Sequence, residues 1–133
     1  YYKKVQIESR VLGYLCMNHI IPVATKYQSV LVDNVSKIFS AFPAEKAKQL
    51  SAYNVTLIEK INAHTDFIVN AVEMVNKRKF VNKLSSVRDL AVAYHDEVEP
   101  YLHAIRRHID KLELIVEDEM WTLPKYRELL FVR

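Results

Sequence analysis

A single glycine and four prolines leave this 133-residue chain few places to turn. β folds need many tight turns, so the composition argues against them. One cysteine, Cys16, rules out an internal disulfide framework and fits a reducing compartment. No apolar run reaches the ~18 residues of a membrane span. The longest, around Val11 to Val23, is broken by Asn18, His19 and Pro22. Neither sign of charge dominates: 19 basic residues face 16 acidic ones, and a net +3 is too mixed to imply nucleic-acid binding. No signal peptide or initiator Met is present, and Tyr1-Tyr2-Lys3-Lys4-Val5 reads as a chain entered partway.

What is present is apolar and helix-forming. Half of the residues are hydrophobic, enough for a real core, and abundant Leu, Val, Ala, Lys and Glu favour long helices. No internal repeat or low-complexity linker is evident. The first helical stretch is expected from about Val5 to Phe42. Pro22 cannot donate to the Asn18 carbonyl, so a kink is expected there. Beyond it Val23, Tyr27, Val30, Leu31, Asn34, Ile38 and Phe42 recur at helical spacing. Before it, the segment from Val11 to Ile21 is apolar almost all round, which calls for cover on every side.

Pro43 suits the first position of a second helix, because its missing N–H would be unpaired there anyway. That helix is expected from about Ala44 to Lys79, roughly 54 Å long. Leu50, Asn54, Leu57, Ile61, His64, Ile68, Ala71 and Val75 form its seam. After a connection at Asn82 to Ser85, a capping box at Ser86-Val87-Arg88-Asp89 opens a third helix to about Glu119. Its expected buried side is Val87, Leu90, Tyr94, Tyr101, Ile105, Leu112 and Val116, with a second kink at Pro100. Trp121-Thr122-Leu123 changes direction, and Pro124 opens a short last helix through Leu130. The fold expected is therefore all-α: an elongated antiparallel three-helix bundle, kinked near Pro22 and Pro100, with a short C-terminal helix.

The candidate chemistry is thin. His95, Glu99 and His103 share one helix face at spacings of four, and two His with a carboxylate are a legitimate ligand set. Yet the triplet spans ~12 Å and contains Pro100, so its members do not converge on one ion. His64 lies on the second seam and reads as a satisfied core residue. Cys16 sits in the most apolar segment with no base nearby, which suits a small buried hydrophobe. No Gly-rich phosphate cradle and no nucleophile on a sharp turn is found. Lys77-Arg78-Lys79 and Glu117-Asp118-Glu119 both read as solvated helix ends. No catalytic, cofactor-binding or metal residue is assigned. Met120 to Phe131 is rich in large apolar groups, and such a segment implies docking onto a surface.

The run from His108 to Phe131, His-Ile-Asp-Lys-Leu-Glu-Leu-Ile-Val-Glu-Asp-Glu-Met-Trp-Thr-Leu-Pro-Lys-Tyr-Arg-Glu-Leu-Leu-Phe, resembles the C-terminal end of type III glutamine synthetases. Thr122 stands where that family usually has Pro. Glu8-Ser9-Arg10-Val11-Leu12-Gly13, Asn18-His19-Ile20-Ile21-Pro22 and Lys26-Tyr27-Gln28 resemble the stretch where the family leaves its catalytic domain. Tyr94, Asp96-Glu97-Val98 and Pro100-Tyr101 fit the helix between. The resemblance implies residues 1–22 as a helical segment leaving a catalytic domain and 23–133 as a C-terminal bundle. It implies a cytoplasmic parent that ligates ammonia to glutamate with ATP and a divalent metal, Mg or Mn, in a large homo-oligomer. The family's nucleotide, metal and glutamate motifs are not found here, so no such residue carries over and no cofactor is expected in this chain. The partners implied are the catalytic domain and other subunits, with self-association of the isolated chain, and neither nucleic acid nor membrane. An autonomous helical interaction or signalling module remains the alternative, and a metal-binding four-helix protein a third.

Overall fold

The computed structural model describes residues 2–78, 87–116 and 120. Among them every regular element is helical and none is a strand. Helix α1 covers Tyr2–Leu15, α2 Ile21–Ala41, α3 Ala44–Arg78, α4 Val87–Ala93 and α5 Glu99–Ile115. Two five-residue π turns, Cys16–Ile20 and Tyr94–Val98, join α1 to α2 and α4 to α5 without a break. The expected connection at 82–85, the cap at Ser86, the turn at Trp121 and the last helix lie outside the described residues.

Both π turns stand in the same relation to a proline. Ile21 donates to the Cys16 carbonyl and Glu99 to the Tyr94 carbonyl, each five residues back, and Pro22 or Pro100 follows. Proline has no N–H to give, and its ring crowds the carbonyl four residues behind it. A turn widened by one residue relieves that crowding while the chain stays helical. The extra residue also changes which side chains face inward. Leu12, Cys16, Ile20 and Ala24 are buried at successive steps of four, as are Tyr94, Val98 and Leu102. An unbroken α-helix would drift off one face in so many equal steps. Tyr101, expected on the core side by regular spacing, is only partly buried, and Leu102 takes the core position.

The hairpin between α2 and α3 is tight. Phe42 is extended at φ −130° and ψ 155°, as the residue before a proline prefers. Its N–H donates to the Ile38 carbonyl at 3.1 Å, while the Pro43 carbonyl accepts from Ala47 at 2.9 Å. Pro43 thus caps α3 from just outside, one position earlier than the sequence suggested. The 35 residues of α3 run about 52 Å. Gln28 Nε2 donates to the Ile58 carbonyl, and Gly13 lies against Val72, so the two partners run in opposite directions.

One core joins all of these helices, centred on Leu12, Cys16 and Ile20, on Ile61, Ile68, Val72 and Val75, and on Tyr94, Leu102, Ile105, Ile109 and Leu112. Other seam positions depart from expectation. Val30, Phe42 and Leu50 are exposed, because among the described residues the hairpin end of α2 and α3 has only two helices to cover its faces.

Gly13 sits inside α1 with an ordinary helical φ, so nothing in the backbone demands glycine. A Cβ there would meet Val72 Cγ1 at 3.7 Å, an ordinary contact, in a crevice bounded by Ser9, Val75, Leu102 and Ile105. Gly13→Ala is expected to stabilise the fold by about 0.5–1 kcal/mol through helix propensity and added packing. Thermal unfolding should show Tm rising by roughly 2–4 °C. A fall in Tm would mean that α1 and α3 need a closer approach than this geometry has.

Candidate functional site

His64 of α3 and His108 of α5, 44 residues apart, meet with Nδ1 to Nδ1 at 2.8 Å. One imidazole donates and the other accepts. Their rings stand edge to face at 5.0 Å, and Phe67 stacks on His108 with centroids 4.0 Å apart and planes 19° from parallel. Both rings are half-buried. Burial pushes the His64 pKa below the usual histidine value, and the charges of His108, Lys111 and Lys60 add to the effect. Burial, then Lys111 and Arg107, does the same for His108. His64 is therefore a paired interhelical residue, as its place on the seam suggested. The sequence reading missed His108, although it stands between the core residues Ile105 and Ile109.

Glu8 and Arg106 form an ion pair that ties α1 to α5 across 98 residues. On the second π turn, His95 Nδ1 lies 2.8 Å from Glu99 Oε2. The i, i+4 spacing noted in the sequence thus yields an exposed local pair, and His103 is exposed on the following turns of α5. Among the described residues no group of three His, Cys, Asp or Glu side chains converges as metal ligands would. The single glycine lies in a helix, so no Gly-rich loop cradles phosphate.

Cys16 is fully buried, and burial pushes its thiol up to about 12. A thiol with so little thiolate is a poor nucleophile and packs as a small hydrophobe. Glu113 was not singled out in the sequence, yet it is almost completely buried. Its neighbours Leu112 and Val116 mark the same inward face, which was the available signal. The side chains of Lys77 and Arg78, and residues 117–119, lie outside what the structure describes.

Part of the described surface is apolar. Ile7, Val11, Tyr14 and Met17 are all exposed, at steps of four, three and three along the first helix. The segment expected to be apolar all round therefore divides. Leu12, Cys16 and Ile20 are buried, Leu15 and Ile21 pack partly against the core, and Val11, Tyr14 and Met17 face outward. A stripe of this kind on one helix marks a surface for another chain or segment. No helix among the described residues is long and apolar enough to cross a membrane.

Comparison with known proteins points one way. The family model described as the glutamine synthetase C-terminal domain matches residues 1–38. Over 134 aligned residues the chain is 45% identical to a glutamine synthetase of Bacteroides fragilis (strain YCH46). It is 25% identical to the type-3 glutamine synthetase of Dictyostelium discoideum over 134 aligned residues. Both matches take in 100% of this chain but only 18% of each relative, so the chain spans less than a fifth of their length.

Proposed function

We propose that this chain, similar along its whole length to glutamine synthetases, serves as a helical packing and assembly region of a type III enzyme rather than as the seat of its chemistry. The supporting observation is the whole-length match at 45% identity against 18% coverage of the relative. The complete protein would ligate ammonia to glutamate, using ATP and a divalent metal held elsewhere in its length, in the cytoplasm. This chain would supply buried area and an apolar face. The exposed stripe of Ile7, Val11, Tyr14 and Met17 would lie against the catalytic part of the same chain or against another subunit of a homo-oligomer. In isolation it would seek a second copy, since a symmetric dimer is the simplest closed way to cover one such face.

The chain by itself is expected to form no glutamine from glutamate, ammonia and ATP with Mg or Mn. The assay would follow both glutamine and phosphate release. Turnover above the no-enzyme rate by this chain alone would overturn the reading.

A further inference from the structure

We propose that the His64–His108 contact is a proton-sensitive latch between α3 and α5, closed at neutral pH and released in mild acid. The proposal goes beyond the packing role, which needs no response to pH. Its basis is geometric. Two imidazoles from different helices share one short Nδ1 to Nδ1 hydrogen bond, 2.8 Å long, and Phe67 holds the His108 ring face-on.

Such a bond requires at least one unprotonated Nδ1 as acceptor. With both rings neutral, one donates and the other accepts. A first added proton leaves the bond in place, because an imidazolium still donates to a neutral imidazole, and the Phe67 face tolerates the charge. A second removes the acceptor. Two cations then stand at hydrogen-bond distance, next to Lys60 on α3 and to Arg107 and Lys111 on α5. Lys60, Arg107 and Lys111 all oppose added positive charge on the pair, so the second proton is the costly one. The rings cannot stay in contact, and α3 and α5 lose their polar tie in the middle of the core face they share.

The sign follows from linkage. Both histidines bind protons less readily in the folded chain than in the unfolded one, where the ordinary value is ~6.5. The unfolded chain therefore takes up more protons as pH falls below ~6.5, and stability declines there. Above that range the pair contributes no slope. Each proton bound only by the unfolded chain lowers the folding constant by up to about tenfold per pH unit. Because the rings are coupled, the two steps belong to the pair rather than to either residue.

The test has two arms. Urea midpoints of the chain at pH 5 to 8 should be level above pH ~7 and fall below ~6.5. In His108→Gln, and separately in His64→Gln, that acid-side fall should be at least halved, because one titrating partner is gone and the other keeps no histidine beside it. Imidazole resonances of the unsubstituted chain supply the second arm and do not depend on any variant folding. The His64 and His108 resonances should titrate distinctly below the ordinary imidazole value of ~6.5, with a broadened, coupled profile. Wild-type and variant midpoints that decline in parallel, or His64 and His108 resonances that titrate at the ordinary value, would overturn the latch.

Discussion

Replacing Leu102 by Ala is expected to destabilise the chain by about 3 kcal/mol, within the 2–5 kcal/mol range of buried leucine truncations. Leu102 is 1% exposed and stands where α1, α3 and α5 meet, against the crevice lined by Ser9, Gly13, Val72 and Ile105. The space vacated would merge with that crevice instead of closing, which places the cost above the lower end of the range. For a chain of this size the loss corresponds to a fall in Tm of roughly 10 °C. Leu114 is the internal control. It lies on the same helix, is the same residue type and is 68% exposed. Leu114→Ala should stay within about 0.5 kcal/mol of wild type. Chemical denaturation of both variants decides the matter. Equal losses would mean that the inward face of α5 is not the one the second π turn sets.

Glutamate at both Val11 and Tyr14 is expected to weaken self-association by about a hundredfold or more while leaving the helical signal and the melting midpoint almost unchanged. Both side chains are exposed in the single chain. Their substitution therefore costs little in folding, and surface changes of this kind usually fall within ±0.5 kcal/mol. Buried in an interface, each would contribute roughly 1.5 kcal/mol, and a charge in its place would have to be desolvated. Two such losses on one protomer already amount to about two powers of ten in Kd, and in a symmetric dimer they count on both protomers. The neighbouring Leu15 and Ile20 are unsuitable probes, because Ile20 is buried and Leu15 packs against the core. Glutamate there would unfold the chain and mask any effect on association. Sedimentation across micromolar concentrations is the measurement. A strictly monomeric wild type, or a doubly substituted chain that associates as before, would leave the stripe without the proposed role.

The helices themselves were legible in the sequence for local reasons. One glycine, long periodic apolar runs and prolines near their edges bound the elements, and the ends of α2 and α5 and the start of α3 fall within a few residues of expectation. Capping, proline sterics and helix propensity act over about four residues, so they can be read from neighbours alone. The same local logic marked Pro22 and Pro100 as sites of irregularity. It did not show that each would be absorbed by a π turn, although the equal steps Leu12, Cys16, Ile20, Ala24 and Tyr94, Val98, Leu102 carried that signal. The register past each proline depends on whether the widened turn costs less than leaving the next apolar residue in water, and only packing against the other helices decides that. This is why Leu102, and not Tyr101, fills the core.

Contacts distant in sequence were decided by tertiary structure alone. Nothing local pairs His64 with His108 or Glu8 with Arg106, because each link depends on how α1, α3 and α5 settle against one another. The outward turn of Val11, Tyr14 and Met17 has the same origin. All sides of that segment are apolar, so hydrophobicity could not choose among them. The choice fell to Leu12, Cys16 and Ile20, whose spacing of four across the first π turn matches the face that α3 and α5 present. By itself, then, the sequence determined that the described segments are helical and that the first of them is apolar on nearly every side. The tertiary structure decided which of that surface stays exposed among the described residues.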